Sequence, residues 1–414
     1  MARFLAESQS EQQQAELFAT TIISFVVLSV LLLALNALIS GSEQLSQAVI
    51  VPLIAFITCA QGWYDLCLKI NNAGLKPVRF GVMSVSKSVL ALALGWAMLT
   101  NGFGIEAVLI TLALSMLLSS LSHLPLLGKI RFNMFSFVLL RKLIVYGGPL
   151  TLTFMMVFLI DVTGRFVLEH YHGAAEVGVF SVAYEFTQYS VGTLLAIVHL
   201  AGFPLIVKAL ANQGEGAARL QLQKSFVLVL GISAPSAVGI ALLSEEIAHL
   251  FFGSAFQQGA AALMPWVALA LFFSVMKSFY FDYSFQLAQS TFLQFVCIAI
   301  AALCLVVACF LLVPEYGASG AAYASVIGFL VSMSLSAIVG RKVFPMPNMN
   351  WAACLQVALA LSVMVMVVSF VSLGHPILNT ALKISFGAFS YLLTLVVLNY
   401  AGSRNFVMNR LHAR

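Results

Sequence analysis

Apolar residues run along this chain in blocks of about twenty, separated by short polar stretches. The blocks fall at roughly 17–40, 46–68, 81–100, 105–127, 143–164, 177–203, 224–243, 260–283, 289–313, 318–340, 351–373 and 378–400. Each is long enough to cross a hydrocarbon core of about 30 Å as a helix. Inside lipid every backbone polar group must find a partner within the protein, which leaves helices or a closed barrel. A barrel would show alternating segments of about ten residues, and the chain has none. The pattern predicts an all-α, polytopic helical membrane protein of about twelve transmembrane helices. Connections are too short to hold a sizeable soluble domain.

Composition agrees. Of the 414 residues, 61% are hydrophobic and 8% charged, and the mean hydropathy is +1.02. A soluble domain carries about a quarter charged residues, so the bilayer must do the solvating. Cys59, Cys67, Cys297, Cys304, Cys309 and Cys354 all lie in apolar runs and read as small core residues. Met1 to Glu16 is polar, with one Arg against three Glu, which is unlike a signal peptide. A pI near 8.9 would suggest nucleic acid in a soluble protein, but here the basic residues mark a leaflet and no nucleic-acid partner is expected.

If the N-terminus is cytoplasmic, the inward loops and termini hold Arg3, Lys69, Lys76, Arg79, Lys87, Lys129, Arg131, Arg141, Lys142, Lys208, Arg219, Lys224, Arg341, Lys342, Arg404, Arg410 and Arg414. These are seventeen of the twenty basic residues. Outward loops carry Glu43, Glu106, Glu176, Glu245, Glu246 and Glu315 instead. Lysine and arginine bias the cytoplasmic side, so the alternation places both termini inside. Arg165, Lys277 and Lys383 are the three exceptions.

Phe103-Gly104-Ile105-Glu106-Ala107-Val108 opens the fourth run, and Tyr316-Gly317-Ala318-Ser319-Gly320-Ala321 opens the tenth in the same manner. Two related lobes in parallel orientation would produce such a repeat. Small residues at helix starts, common in membranes, would produce it too.

No HExxH pair, P-loop or GxSxG motif is present, and the seven histidines show no metal-ligand spacing, so neither an enzyme nor a metal site is expected. What remains are ionisable residues at membrane depth, which are expensive and usually face a cavity. Asp161 and Arg165, four apart on one helix, share a face and can pair, as a charged cavity rim or as a snorkelling interface pair. Glu185, Gly192 and His199, spaced by seven, form a polar stripe with Gln188 and Tyr189 nearby. A carboxylate such as Glu185 is a candidate proton or sodium carrier, whereas His199 also fits a neutral ring bonded within the bundle. Thr58, Gln61, Asp65 and Lys69 share one face of the second run, with Lys69 an inside anchor. Lys277 and Asp282 lie near the inner end of the eighth, where Lys277 reads as a lumenal cation suited to a diphosphate, or as a snorkelling side chain.

Tyr146-Gly147-Gly148-Pro149-Leu150 and Gly173-Ala174-Ala175-Glu176-Val177-Gly178-Val179-Phe180-Ser181-Val182-Ala183-Tyr184 each begin a helix. With Phe252-Gly253, Phe256, Ala260 and Tyr316-Gly317 to Ala322, they resemble the O-antigen and polysaccharide flippase family. That family lies within the multidrug, oligosaccharidyl-lipid and polysaccharide exporter superfamily. The likeness is best between 141 and 340. It implies two six-helix lobes around a central cleft, two trailing helices and alternating access. It also implies a cargo of oligosaccharide on undecaprenyl diphosphate, a cationic lumen and coupling to H+ or Na+, with no other cofactor. Beyond the bilayer and the lipid-linked cargo, a polysaccharide polymerase and other assembly proteins are implied partners.

Two departures stand out. The family often has an adjacent Asp-Arg where this chain has Gly164-Arg165, and Asp161 is the acid one turn earlier. Arg3-Phe4-Leu5-Ala6-Glu7 resembles the loop between the family's second and third helices, as though the first pair were missing. The expected division is therefore 1–135 with about four helices, 136–342 with six, and 343–414 with two trailing helices and a tail. Competing readings are an ion-coupled drug or metabolite exporter of the same superfamily, a membrane glycan enzyme such as a polymerase or acyltransferase, and an inactive remnant.

Overall fold

The computed structural model describes residues 11–40, 47–74, 76–123, 134–372 and 376–402. Among them all regular structure is helical: α1 (Glu11–Ser40), α2 (Gln47–Ala73), α3 (Pro77–Thr100), α4 (Ile105–Ser119), α5 (Phe137–His172), α6 (Ala174–Gln213), α7 (Glu215–Leu242) and α8 (Ser244–Phe251). Then come α9 (Ser254–Met276), a π-helical turn (Lys277–Phe281), α10 (Tyr283–Leu287), α11 (Thr291–Val343), α12 (Trp351–Phe370), α13 (Pro376–Val397) and a 3-10 turn (Tyr400–Gly402). Ten helical segments are long and apolar enough to cross a membrane, and α4 is a shorter apolar helix. The 53-residue α11 is kinked at Gly317. Counting it as two passes and adding α4 accounts for all twelve runs. Arg3, Lys129, Arg131, Arg404, Arg410, Arg414, Glu43, His375 and His412 lie outside the described residues.

Many large apolar side chains face outward, while small ones are among the most deeply buried. Ala260, Ala321, Ala322 and Ala324 are fully buried, whereas Phe370 is 77% exposed and Leu303, Phe310 and Leu392 are also on the outside. Lipid is as apolar as leucine, so large side chains gain nothing by turning inward, while small ones let helices approach. This is a multi-pass membrane protein.

The chain divides into two compact units, Met1–Val145 and Tyr146–Arg414. The boundary falls within α5, ahead of Gly147-Gly148-Pro149. In the first unit α2 touches α1, α3 and α4, around Ile22, Trp63, Cys67, Met83 and Met116. In the second, α9 lies against α6, α7 and α11.

The trailing helices belong to the second unit, and proline chemistry explains one of their anchors. Pro235 in α7 has no N–H, which leaves the carbonyl of Gly231 without its helical donor. Tyr391 of α13 donates its hydroxyl to that carbonyl at 2.8 Å. Tyr400 donates to the neighbouring Val227 carbonyl at 2.7 Å, and burial pushes its phenol well above the ordinary value.

Two of the resemblance-bearing motifs meet in space. At Gly317 the chain turns with φ +55°, a left-handed conformation that favours glycine. The second half of α11 then runs back along the first, with Gly320 against Leu312 and Gly328 against Leu305. Glu176, in the first turn of α6, accepts from the Ala318 amide at 2.9 Å, a carboxylate on a helix start. His172 Nε2 sits 2.9 Å from the Val313 carbonyl on the other side of the turn. The α5–α6 corner thus clamps both halves of α11.

Candidate functional site

Two polar clusters lie in the second unit. The first joins α5 to α6. Asp161 and Arg165 share a face of α5, but the pair expected between them does not form. Arg165 instead extends to Glu185 Oε1 of α6 at 2.8 Å, with its guanidinium carbon 5.6 Å from the centre of the Tyr184 ring. Tyr184, fully buried, donates its hydroxyl to Asp161 Oδ1 at 2.6 Å. The short aspartate is taken by the phenol, and the long arginine reaches past it. The Arg165 and Glu185 side chains remain 26% and 42% exposed, while Arg165 Nε is buried without a partner among the described residues. A guanidinium left partly exposed can still meet a planar anion.

The second cluster is sealed. Lys277 Nζ lies 2.7 Å from Asp282 Oδ2, the two side chains being 3% and 2% exposed. Gln294 Nε2 donates to the same oxygen at 3.1 Å, and Ser336 donates to Oδ1 at 2.8 Å. Residues five apart point about 140° away from each other on an α-helix. The π-helical turn changes this: the Asp282 amide bonds the Lys277 carbonyl at 2.9 Å, the i→i+5 pattern that stacks such residues. Lys277, expected as a lumenal cation, is thus a buried partner of Asp282.

His199 lies beside this second cluster. Its Nδ1 is 2.6 Å from the hydroxyl of Tyr283, the residue after Asp282, and its ring stacks on Phe203. Glu185 and His199 are fourteen residues apart, about 21 Å along α6. The polar stripe therefore serves two separate clusters.

Asp65 stands in the first unit, half-buried, accepting from Gln61 at 2.9 Å. Lys69 is exposed. Nearby, His123 bonds Asn71 through Nε2 at 3.1 Å. Burial, helped by Arg79 and Lys76, lowers the His123 pKa below its ordinary value, so the ring is held neutral.

Lys383 of α13 is ion-paired with Glu246 of α8. It borders an apolar cavity of about 630 Å³ walled by Leu194, Ile232, Pro235, Ile240, Met364 and Leu392, among others. Arg165, Lys277 and Lys383, the three basic residues that break the leaflet alternation, are thus the three that form ion pairs with acids among the described residues.

Sequence reasoning missed Tyr184, Tyr283, Gln294 and Ser336 as partners. A lone glutamine in an apolar run, and Ser332 and Ser336 spaced one turn apart, were the available signals. For the tyrosines nothing in the spacing stood out.

A bundle of membrane spans in two lobes, with no strand among the described residues and with ion pairs on the spans themselves, has the architecture of multidrug, oligosaccharidyl-lipid and polysaccharide exporters. Among solved structures, the lipid II flippase MurJ in an inward closed conformation is similar at a TM-score of 0.66 and 16% identity, covering 97% of this chain and 87% of that one. An outward-facing multidrug resistance MATE family transporter of that superfamily aligns at 0.68 and 16% identity, covering 82% of each chain. A superfamily transporter from Pyrococcus furiosus aligns at 0.68 and 18%, covering 82% of this chain and 81% of that one. At these identities the likeness shows the fold alone. No curated protein matches the chain in sequence. The profile of the polysaccharide biosynthesis protein family matches residues 4–261, and the chain belongs to that family.

Proposed function

We propose that this chain flips an oligosaccharide repeat unit linked to undecaprenyl diphosphate, for O-antigen or related lipopolysaccharide assembly. Movement runs from the cytoplasmic to the periplasmic leaflet of a bacterial inner membrane, by alternating access, with both termini cytoplasmic. The observation that carries this reading is the partly exposed Arg165, its side chain 26% open. Its guanidinium is held by Glu185 and by the face of Tyr184. Arginine's planar fork suits a diphosphate. The apolar cavity beside Lys383 adds room for a hydrocarbon chain next to a cation. Membership in a polysaccharide biosynthesis family supports a glycan cargo.

Asp161 and Glu185 are the carboxylates proposed to carry the coupling proton or sodium ion, because they flank Arg165 and gain or lose its field as it engages an anion. The test is complementation of a flippase-deficient strain. Arg165→Ala and Glu185→Ala should each abolish it at normal protein levels; full complementation by either rejects that residue's role.

The second reading, an ion-coupled exporter of organic cations, draws on the same two carboxylates. It predicts raised drug susceptibility on deletion and indifference of glycan assembly to Arg165→Ala.

A further inference from the structure

The corner between α7 and α9 is not used by the reading above. It is filled by α8, whose eight residues are Ser-Glu-Glu-Ile-Ala-His-Leu-Phe. Residues two apart on a helix point about 200° from each other, so this pattern gives α8 two unlike flanks. Leu243, which precedes the helix, and Ile247 wall the apolar cavity beside Lys383. Ser244, Glu245 and His249 wall a second cavity, of about 590 Å³, together with Ser254, Gln257 and Gln258 from the start of α9.

The frame of this second cavity is fixed, while its polar ends are free. Gln257 donates Nε2 to the Phe252 carbonyl at 3.1 Å, which satisfies a carbonyl orphaned at the end of α8 and ties the two helices at their turn. Glu246 is taken by Lys383, and Glu176 by the Ala318 amide. By contrast, the side chains of Glu245, His249 and Gln258 have no hydrogen bond or ion pair among the described residues. All three are exposed. Glu245 and His249 lie four apart and so share a face.

A carboxylate accepts several hydrogen bonds, and an amide or imidazole can both donate and accept. Neighbouring hydroxyls on a sugar ring match that set. No lysine or arginine lines the cavity, and Glu245 repels anions, which argues against a phosphate. The volume falls within the range of small-molecule sites, about 300–1,000 Å³. We propose that this corner binds an uncharged sugar, with Glu245 accepting from adjacent hydroxyls and His249 and Gln258 bonding the rest of the ring. The apolar cavity on the other flank of α8 favours a sugar in particular, because a molecule joining a glycan to a hydrocarbon chain would meet both flanks of one helix. Assigning the sugar to delivered cargo rests on the flippase reading; the site itself does not, since a free glycan presents the same hydroxyls.

The experiment is saturation-transfer difference NMR on the full chain in nanodiscs, because sugar-headed detergents would compete. The probes are glucose, galactose, rhamnose and N-acetylglucosamine, with glucuronate as an anionic counterpart and choline as a cation without ring hydroxyls. At least one neutral sugar should bind saturably, and more tightly than glucuronate or choline. Glu245→Ala and His249→Ala should each weaken it by about tenfold, and the double variant should fall to the signal of empty nanodiscs. Both side chains are exposed, so the unfolding midpoint should not move, and Arg165→Ala should bind the sugar as the wild type does. A soluble oligosaccharide compared with the same glycan on undecaprenyl diphosphate separates the two sources. Tighter binding of the lipid-linked form marks delivered cargo, equal binding marks a free glycan, and either supports the site. The proposal is overturned if no neutral sugar binds, if choline binds as tightly, if the double variant binds unchanged, or if Arg165→Ala abolishes binding. Complementation plays no part in this measurement, so its failure is separable from failure of the flippase reading.

Discussion

Arg165–Glu185 and Lys277–Asp282 are similar pairs in the same unit, yet their surroundings differ. The first is a quarter to two-fifths exposed and leans on an aromatic face. The second is sealed, and its carboxylate accepts three hydrogen bonds. A half-exposed charge can trade partners at little cost, whereas a buried one can leave only if another cation replaces it. The open pair is therefore suited to meeting an anionic cargo, and the sealed pair to tying the π-turn region to α11.

The contrast is broken most severely by removing one sealed charge. Asp282→Ala strands the Lys277 ammonium and should cost about 3–5 kcal/mol, read as loss of folded, membrane-inserted protein and a fallen unfolding midpoint. Replacing both members, Lys277→Met with Asp282→Leu, should return stability to within about 1–2 kcal/mol of the wild type, because no charge is left buried. Tyr184→Phe removes the donor to Asp161 and should cost about 1 kcal/mol, with a larger loss of complementation than of stability. Smallest in stability is Arg165→Ala, below about 1 kcal/mol, although complementation should vanish. An Arg165 variant as unstable as the Asp282 one would erase the distinction between the pairs.

His123 sharpens the comparison as a polar group with no charge to hold. Its depressed pKa means the folded state prefers the neutral ring, so its contribution is intact above the ordinary histidine value of about 6.5. It is lost as pH falls below that, when the unfolded chain binds the proton more readily. Protection of amides at the α2–α4 contact, referred to the intrinsic exchange rate at each pH, should fall between about pH 6.5 and 5, and His123→Asn should flatten the change.

Much of the fold was legible because a bilayer imposes one length and one periodicity on every span. Twelve runs became helices, with α11 carrying two of them through the Gly317 turn that the Tyr316-Gly317 motif marked. At the polar sites, the sequence marked where charges are and not whom they meet. Asp161 and Arg165 are neighbours by spacing, but Tyr184 and Glu185 reach them from another helix. Lys277 and Asp282 would diverge on an α-helix, and a π-helical turn has no residue signature to announce it. The exceptions to the leaflet pattern were the better guide: Arg165, Lys277 and Lys383 all proved to be ion-paired.

The most direct measurement uses the purified chain in liposomes with a fluorescent undecaprenyl-diphosphate oligosaccharide and a membrane-impermeant quencher. Wild-type protein should speed exchange of the label between leaflets well above empty vesicles, and Arg165→Ala should return it to that background. Equal exchange with and without the wild-type protein, or undiminished exchange with Arg165→Ala, would contradict the account.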